Sequence, residues 1–352
     1  MIDTTEKLAE FLPRLRDAGW VAIDTEADSL HAYPEKLCLL QISVPNEDLL
    51  VDPLAGFELE PLLEVLRARE LILHGADYDL RLMFRSYGFV PAAVFDTMLA
   101  ARLLGVLQFG LTDLAARFLG VGLEKGSQKA DWAKRPLTPK MVTYASNDTR
   151  HLKALSDKLR AELTQLGRIT WHAQLCDQLI RDCTQPRVED PNTVWRLKGA
   201  DRLERRGMGV LRELWHWREE EAIAANKPPF FVVSHDTLVA VAATAGRGEK
   251  VDSMVPVRFS PRRRGGFLQA VERAMALPEA ELPERRQNRG RPLSATARRR
   301  VEELRVKRDQ RAKELTLDPS LIASRATLSE LAQERGGIDG CLLPWQRELL
   351  LG

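Results

Sequence analysis

The sequence predicts a mixed-sheet α/β domain followed by two small all-α domains, and three observations carry that expectation. The front half sets short Leu-, Ile- and Val-rich runs between amphipathic stretches. The back half matches itself when slid by 90 residues. The halves also differ in charge: residues 1–190 hold 22 Lys+Arg against 28 Asp+Glu (−6), and the rest hold 30 against 22 (+8), summing to the chain's +2. At 352 residues the chain exceeds one ordinary core, so two or three domains are expected.

Composition, 44% hydrophobic and 29% charged, is that of a soluble globular protein. No run of about 18 apolar residues occurs, which excludes a transmembrane helix. The opening MIDTTEKLAEFLPRL is acidic and amphipathic, without the basic-then-apolar order of a signal peptide. Cys38, Cys176, Cys183 and Cys341 are scattered with no CxxC pair, which argues against zinc or a disulfide framework and for a reducing, cytoplasmic setting. Cys176 and Cys183 share one side of an expected helix and read as small apolar fillers.

In the front domain, WVAIDTEADSL starts apolar and breaks into Asp-Thr-Glu. If residues 20–26 form a strand, Asp24 and Glu26 project from one face, and two adjacent carboxylates call for a cation. KLCLLQIS and DLLLVD read as further strands and FELEPLLEVLRAR as an amphipathic helix. ELILHGADYDLRLMFRSYG runs from strand into helix, with Asp79 in the first turn. There it is either placed at the sheet's edge for a site or favoured only by the helix dipole. A later helix starts near Thr138 or Pro139 and stacks Tyr144 and Asp148, four apart, on one face. Asp148 is a poor helix former flanked by Asn147 and Thr149, which suggests a need other than propensity.

In the back half, Glu213, Leu214, Arg218, Ala222, Pro229, Ser234, Thr237, Leu238 and Ala242 face Glu303, Leu304, Arg308, Ala312, Pro319, Ser324, Thr327, Leu328 and Ala332, nine identities in 30 positions. Each copy reads as a long amphipathic helix, a Pro-containing break and a shorter helix capped by Ser234 (or Asp236) or Ser324. PEAELPERRQNRGRP, almost free of apolar residues, reads as a linker. The expected division is residues 1–175, a connecting segment 176–192, helical domains 193–275 and 290–352, and a linker 276–289.

The order D-x-E on a strand, Y-D after a later strand and Y-x3-D on a later helix resembles the DEDDy 3′–5′ exonucleases, among them the ribonuclease D family and the catalytic subunit of the nuclear exosome. FDTMLAARLLG, GLTDLAARFLG and KADWAKRPLTPKMVTYASND add to the likeness. The helical copies resemble the HRDC domain through LRELWHWREEEAIAANKPPFFVVSHDTLVAVA, and more distantly DPSLIASRATLSELA and PWQRELL. Exonuclease first and HRDC second is the ribonuclease D order. Two departures bear on substrate handling: Gly75 stands where relatives often carry Asn, and Gly126-Ser127 where Lys-Ser is common.

The resemblance implies an RNase H-like front domain and two divalent ions, Mg²⁺ or Mn²⁺, for which an all-oxygen ligand set is apt. It implies that Asp24 bridges both metals, Glu26 and Asp148 complete one, and Asp79 helps hold the other through water. Tyr144 would orient the attacking water as a hydrogen-bond partner, since a free phenol is about one part in a thousand ionised at pH 7. Further expected substrate contacts are His31 and Tyr33 after the D-x-E, and His74, which reads as structural or substrate-contacting. Trp132 and Arg135 would contact a base and a phosphate or else pack against the catalytic helix. Arg262, Arg263, Arg264, Arg285 to Arg291 and Arg298 to Arg300 suit phosphates; His151 reads as helix surface.

The expected partner is RNA with a free 3′ end, tRNA precursors or other structured RNA. No membrane or obligate protein partner is evident. A DNA-directed exonuclease of the same fold is the alternative, because no 2′-OH reader is legible. A silent RNA-binding or scaffold protein is a third, disfavoured by the intact acids.

Overall fold

The computed structural model describes residues 1–124, 126–186, 190–285, 293–333 and 341–352. By contacts the chain forms two units: one comprises residues 1–27, 37–185 and 292–352, the other residues 28–36 and 186–291. Among the described residues no helix is long and apolar enough to cross a membrane.

The first unit opens with α1 (Thr5–Asp17), capped by Thr4, whose side chain accepts from the Lys7 N–H. Then come β1 (Val21–Ala27), β2 (Leu37–Val44), β3 (Glu47–Val51), α2 (Glu60–Arg67), β4 (Glu70–Leu73), α3 (Asp77–Tyr87), β5 (Ala93–Asp96) and α4 (Thr97–Leu103). The sheet order is β3-β2-β1-β4-β5; β1–β3 pair antiparallel, whereas β4 and β5 join parallel to β1. The β1–β3 meander needs only short links. The parallel strands need the crossovers supplied by α2 and α3. Every residue of β2 is buried, as expected of a strand covered on both faces. α5 (Leu111–Leu114) continues as a π-helical turn to Leu119, followed by α6 (Pro139–Arg150), α7 (Leu152–Gln165) and α8 (Ile169–Cys183). Cys176 and Cys183 are both buried on α8.

The second unit contains α9 (Arg205–Ala225), α10 (Pro229–Val232), α11 (His235–Gly246) and α12 (Pro261–Ala276). Its core is its own: Trp217 packs edge-on to Phe267, at 5.3 Å between ring centroids, amid Leu211, Leu214, Val241 and Ala270. The stretch that the sequence marks as a linker behaves differently in its first part. Leu282 is buried, Arg206 donates to the Leu277 carbonyl, and Arg205 donates to the carbonyls of Glu279 and Leu282 at 2.8 and 3.1 Å. Guanidinium forks on α9 thus hold a chain that lacks an apolar pattern. Residues 286–292, the rest of that linker and most of the Arg285–Arg291 stretch, lie outside the described residues.

α13 (Ala295–Leu315), α14 (Pro319–Ile322), α15 (Arg325–Ala332) and α16 (Pro344–Leu351) return to the first unit. The 90-residue register holds residue by residue: α9 and α13, and α10 and α14, begin and end 90 apart. Both long helices end in left-handed C-caps, Asn226 at φ 46° and Thr316 at φ 55°. Ser234 accepts from Thr237 N–H at 3.1 Å, as Ser324 does from Thr327 N–H at 3.0 Å.

The copies differ in how they obtain a core. α9 buries ten residues, but α13 buries only Ala297 and Ala312. With so little apolar surface, the second copy shares a cluster with the front domain, joining Leu317, Ile322, Leu328, Trp345 and Leu350 to Phe95, Leu103, Leu155 and Leu159. Trp345 stacks on Trp171 of α8 at 4.7 Å, and Arg168 donates to the carbonyls of Leu103 and Leu315 at 2.6 and 2.8 Å.

The tightest approach is at Gly105, whose φ is +77° and whose added Cβ would lie 2.2 Å from the Thr316 carbonyl oxygen. Gly105→Ala should therefore cost about 2–4 kcal/mol, combining left-handed strain with a backbone clash. Urea unfolding checks this; a midpoint equal to the parent protein's would refute the close approach.

Candidate active site

Asp24 and Glu26 project from β1, the strand at the centre of the sheet, flanked by β2 and β4. The third acid, Asp148, comes from α6. Thr138 caps that helix through the Met141 N–H, and Pro139 sits where no N–H is needed. Met141, Ala145 and Thr149 form its buried face, and Ser43 of β2 hydrogen-bonds Thr149 Oγ1 at 2.8 Å. One carboxylate oxygen from each of Asp24, Glu26 and Asp148 lies within 4.8 Å of the other two.

Asp79 lies outside that trio. It is buried in the first turn of α3 and accepts a 2.5 Å hydrogen bond from Thr25 Oγ1. Its charge is nonetheless felt by all three acids.

Burial and mutual repulsion shape the electrostatics. Desolvation, then the charges of Asp79, Asp148 and Glu26, raise Asp24 well above the usual carboxylate range. Glu26 is pushed up to about 9 by burial and then by Asp148 and Asp79. Burial takes Asp148 to about 7, opposed by its hydrogen bond to Tyr144, and takes Asp79 to about 6, opposed by Thr25. Asp148 Oδ2 is buried with no hydrogen-bond partner. Crowded, half-buried, under-satisfied oxygens without sulfur or nitrogen donors fit hard divalent cations.

Tyr144, one turn before Asp148, hydrogen-bonds both Asp148 and Gln128. Burial, then the charges of Asp148, Glu26 and Asp24, hold its phenol far above the ordinary value, so it is neutral at pH 7. Asp24, His74, Tyr144, Asn147 and Asp148 open on a cavity of about 430 Å³ whose other wall includes Gly110–Asp113, Leu123, Glu124 and Gln128.

His74 ends β4. Its Nδ1 is 2.9 Å from Thr97 Oγ1, and because that hydroxyl donates to the Leu73 carbonyl, it accepts from Nδ1–H. Burial lowers the His74 pKa, leaving a neutral ring. The turn that follows is clamped by Asp96, whose carboxylate accepts from the N–H groups of Gly75, Ala76, Met98 and Leu99. Gly75 has φ +72°, a left-handed conformation that Gly and Asn tolerate best.

Other expected substrate contacts are engaged elsewhere. Trp132 is fully buried with Cys38, Leu39, Met141 and Ala145, so no face is open to a base. Arg135 grips Asp52 with Nε and Nη2, each at 2.6 Å, and also donates to the Cys38 and Trp132 carbonyls. It staples a loop rather than reaching for phosphate. The Tyr33 hydroxyl donates to Glu219 at 2.5 Å, its N–H donates to Asn226 Oδ1, and the His31 carbonyl accepts from Lys227. Arg262 and Arg263 both donate to Glu221 at 2.9 Å, and Arg264 donates to the Asp252 carbonyl. His151 caps the end of α6.

Gln41 is a site residue that sequence reasoning missed. It pairs directly across β2 from Asp24, is fully buried, and donates to Asp24 Oδ2 at 3.3 Å. Only its place opposite the D-x-E in an antiparallel pair could have signalled it.

Comparisons with known proteins agree with this geometry. Residues 1–164 match a 3′-5′ exonuclease family and residues 208–250 the HRDC domain. Ribonuclease D of Gluconacetobacter diazotrophicus is 34% identical over 357 residues, covering 99% of this chain and 89% of that protein. The structure of Escherichia coli RNase D, described as an exoribonuclease involved in structured RNA processing, superposes with a TM-score of 0.78 at 25% identity, covering 99% and 96% of the two chains. The catalytic core of RRP6 from Trypanosoma brucei gives 0.66 at 25% identity, covering 78% and 80%. Alike along nearly its whole length, the chain belongs to the ribonuclease D family of 3′–5′ exoribonucleases.

Proposed function

We propose that the chain trims nucleotides from the 3′ ends of structured RNAs, such as tRNA precursors, using two divalent cations held by Asp24, Glu26, Asp79 and Asp148. The observation that carries this reading is the trio of half-buried carboxylates within 4.8 Å, one buried oxygen of which has no partner. The family and the relative described as a structured-RNA exoribonuclease support the substrate class.

When bound, Mg²⁺ or Mn²⁺ supplies acidity for the attacking water and offsets charge on the phosphate. The chain's own residues do the rest. Asp24, at the strand centre and steadied by Gln41, faces Glu26 and Asp148. Asp79 is turned toward Thr25 and acts at longer range, through water. Tyr144 stays neutral and positions the nucleophile by hydrogen bonding, with Gln128 and Asp148 fixing its hydroxyl. His74 Nε2 remains available to the terminal nucleotide, since Nδ1 is committed to Thr97. Arg262, whose side chain is 74% exposed while it pairs with Glu221, favours the RNA backbone.

Matched 5′-labelled RNA and DNA, with Mg²⁺, Mn²⁺ or EDTA, test this reading. Stepwise shortening of RNA alone supports it; preference for DNA, or no shortening with any metal, overturns it. Asp148→Asn should abolish shortening while RNA still binds, and retained cleavage would refute the metal assignment. Tyr144→Phe should lower kcat about 100-fold with little change in KM; undiminished kcat would remove the tyrosine from the reaction.

Raised folded-state carboxylate pKa values mean that ionisation disfavours the cation-free fold. With Asp148 at about 7 and Glu26 at about 9, against about 4 for either in the unfolded chain, its stability should fall as pH rises from about 4 to about 9. Cation binding displaces those protons, so the Tm gain on adding Mg²⁺ or Mn²⁺ should grow over the same interval. Calorimetry with EDTA or metal at each pH checks both, and a gain that shrinks with pH would contradict the assignment.

A further inference from the structure

The first helical repeat carries an exposed aromatic pair that nothing above uses. Phe230 and Phe231 on α10 are 48% and 54% exposed, with ring centroids 4.6 Å apart. Arg258 lies against them, donating to the carbonyls of Phe231 and Val232 at 3.1 and 3.0 Å. Lys227 precedes α10 by two residues, and Ile223 and Val257 add exposed apolar surface to the repeat. Exposing two adjacent Phe rings forfeits burial energy, so a face of this kind calls for an occupant.

The duplication supplies a comparison within one chain. At the positions 90 residues on, the second repeat has Ser320 and Leu321, and Leu321 is buried. Pro261 and Pro344 each open the last helix of a repeat. The next residue is Arg262, its side chain 74% exposed, in the first copy and Trp345, buried on Trp171, in the second. The repeat that packs into the protein's core buries Leu321 and Trp345 at these places; the other shows aromatic rings and cations to solvent. Charge divides the same way: residues 191–291 hold 19 Lys+Arg against 13 Asp+Glu (+6), and residues 292–352 hold 11 against 9 (+2).

We propose that Phe230 and Phe231, with Arg258 beside them and Arg262 exposed on the same repeat, form a stacking platform for unpaired bases of single-stranded RNA, the cations meeting the phosphates. This rests on the RNA reading above. Aromatic faces accept any base, so the platform is tolerant of sequence and selects for single strands, because paired bases hide their faces.

Full-length protein in EDTA, which blocks cleavage, is titrated with fluorescent oligouridine and with a blunt RNA hairpin. The Phe230→Ala/Phe231→Ala double variant should bind oligouridine at least tenfold more weakly, with an unchanged salt slope and unchanged hairpin affinity. Phe→Trp at both positions should restore binding. Arg262→Gln should instead reduce the salt slope. Unaltered oligouridine affinity in the Ala variant overturns the platform and leaves the face to a protein partner; equal loss on the hairpin, or failure of Trp to restore binding, also overturns it. Hydrolysis of a trinucleotide with Mg²⁺ or Mn²⁺ reports on the active site separately. Its absence in the parent protein would refute the catalytic reading, while the binding comparison still decides the platform.

Discussion

Like charges held close in a half-buried pocket repel each other, and much of the front domain can be understood as the scaffold that bears this repulsion. Asp24, Glu26 and Asp148 would spread or rotate to solvent if their backbones allowed it. β1 does not allow it, being bonded on one edge to β2 and on the other to β4. α6 is likewise fixed to the sheet through Ser43 and Thr149 and through Met141 and Ala145 packed with Cys38 and Leu39. The segment leading into α6 is stapled by Arg135 to Asp52, at the far end of β3. Trp132 fills the space between. Residues that looked like substrate contacts thus keep the acids from relaxing apart, and a cation resolves the remaining strain.

The two helical copies show one structural unit serving two ends. The limits of their first two helices, their left-handed caps and their Ser–Thr capping pairs coincide, so the local rules were retained. Their surfaces were not. α13 reads ATARRRVEELRVKRDQRAKEL, too polar to centre a core, and its copy relies on apolar residues from α4, α7 and α8. α9, with Trp217, Leu211 and Leu214, centres a core unaided. Freed from packing, the outer face of the first copy can be specified by something other than stability.

Local periodicity and spacing were legible in the sequence; partnerships across the chain were not. Two-residue spacing on a strand and four-residue spacing on a helix locate Asp24, Glu26, Tyr144 and Asp148 on defined faces, because those periods are fixed by backbone geometry. The repeat was legible for the same reason, register being a property of one chain against itself. By contrast, Arg135 pairs with Asp52, 83 residues away, and Tyr33 with Glu219, 186 away. Nothing in RPL or HAYP marks a guanidinium or phenol as already committed. Gln41 sits in a run that reads as pure strand, and only the antiparallel register brings it to Asp24. Basic composition alone also missed the aromatic pair, since a Phe beside a proline break reads as ordinary core.

Buried acids in this fold divide by what surrounds them, and that division marks the site more sharply than acidity does. Asp96 is almost fully buried and accepts four backbone N–H bonds, from Gly75, Ala76, Met98 and Leu99. Asp52 is buried and receives a bidentate guanidinium. Each is satisfied by the protein itself, and each holds a turn or loop in place. Asp148, half-buried, keeps a buried oxygen without a donor, and Glu26 is pushed to about 9 by burial and by the charges of Asp148 and Asp79. A fold able to give four donors to Asp96 could have satisfied Asp148 as well. Leaving it short costs stability, and that cost is offset only when something outside the chain brings positive charge. On the proposed reading, Asp148 and Glu26 are left short of donors for a cation to take up, whereas Asp96 and Asp52 belong to the frame around them.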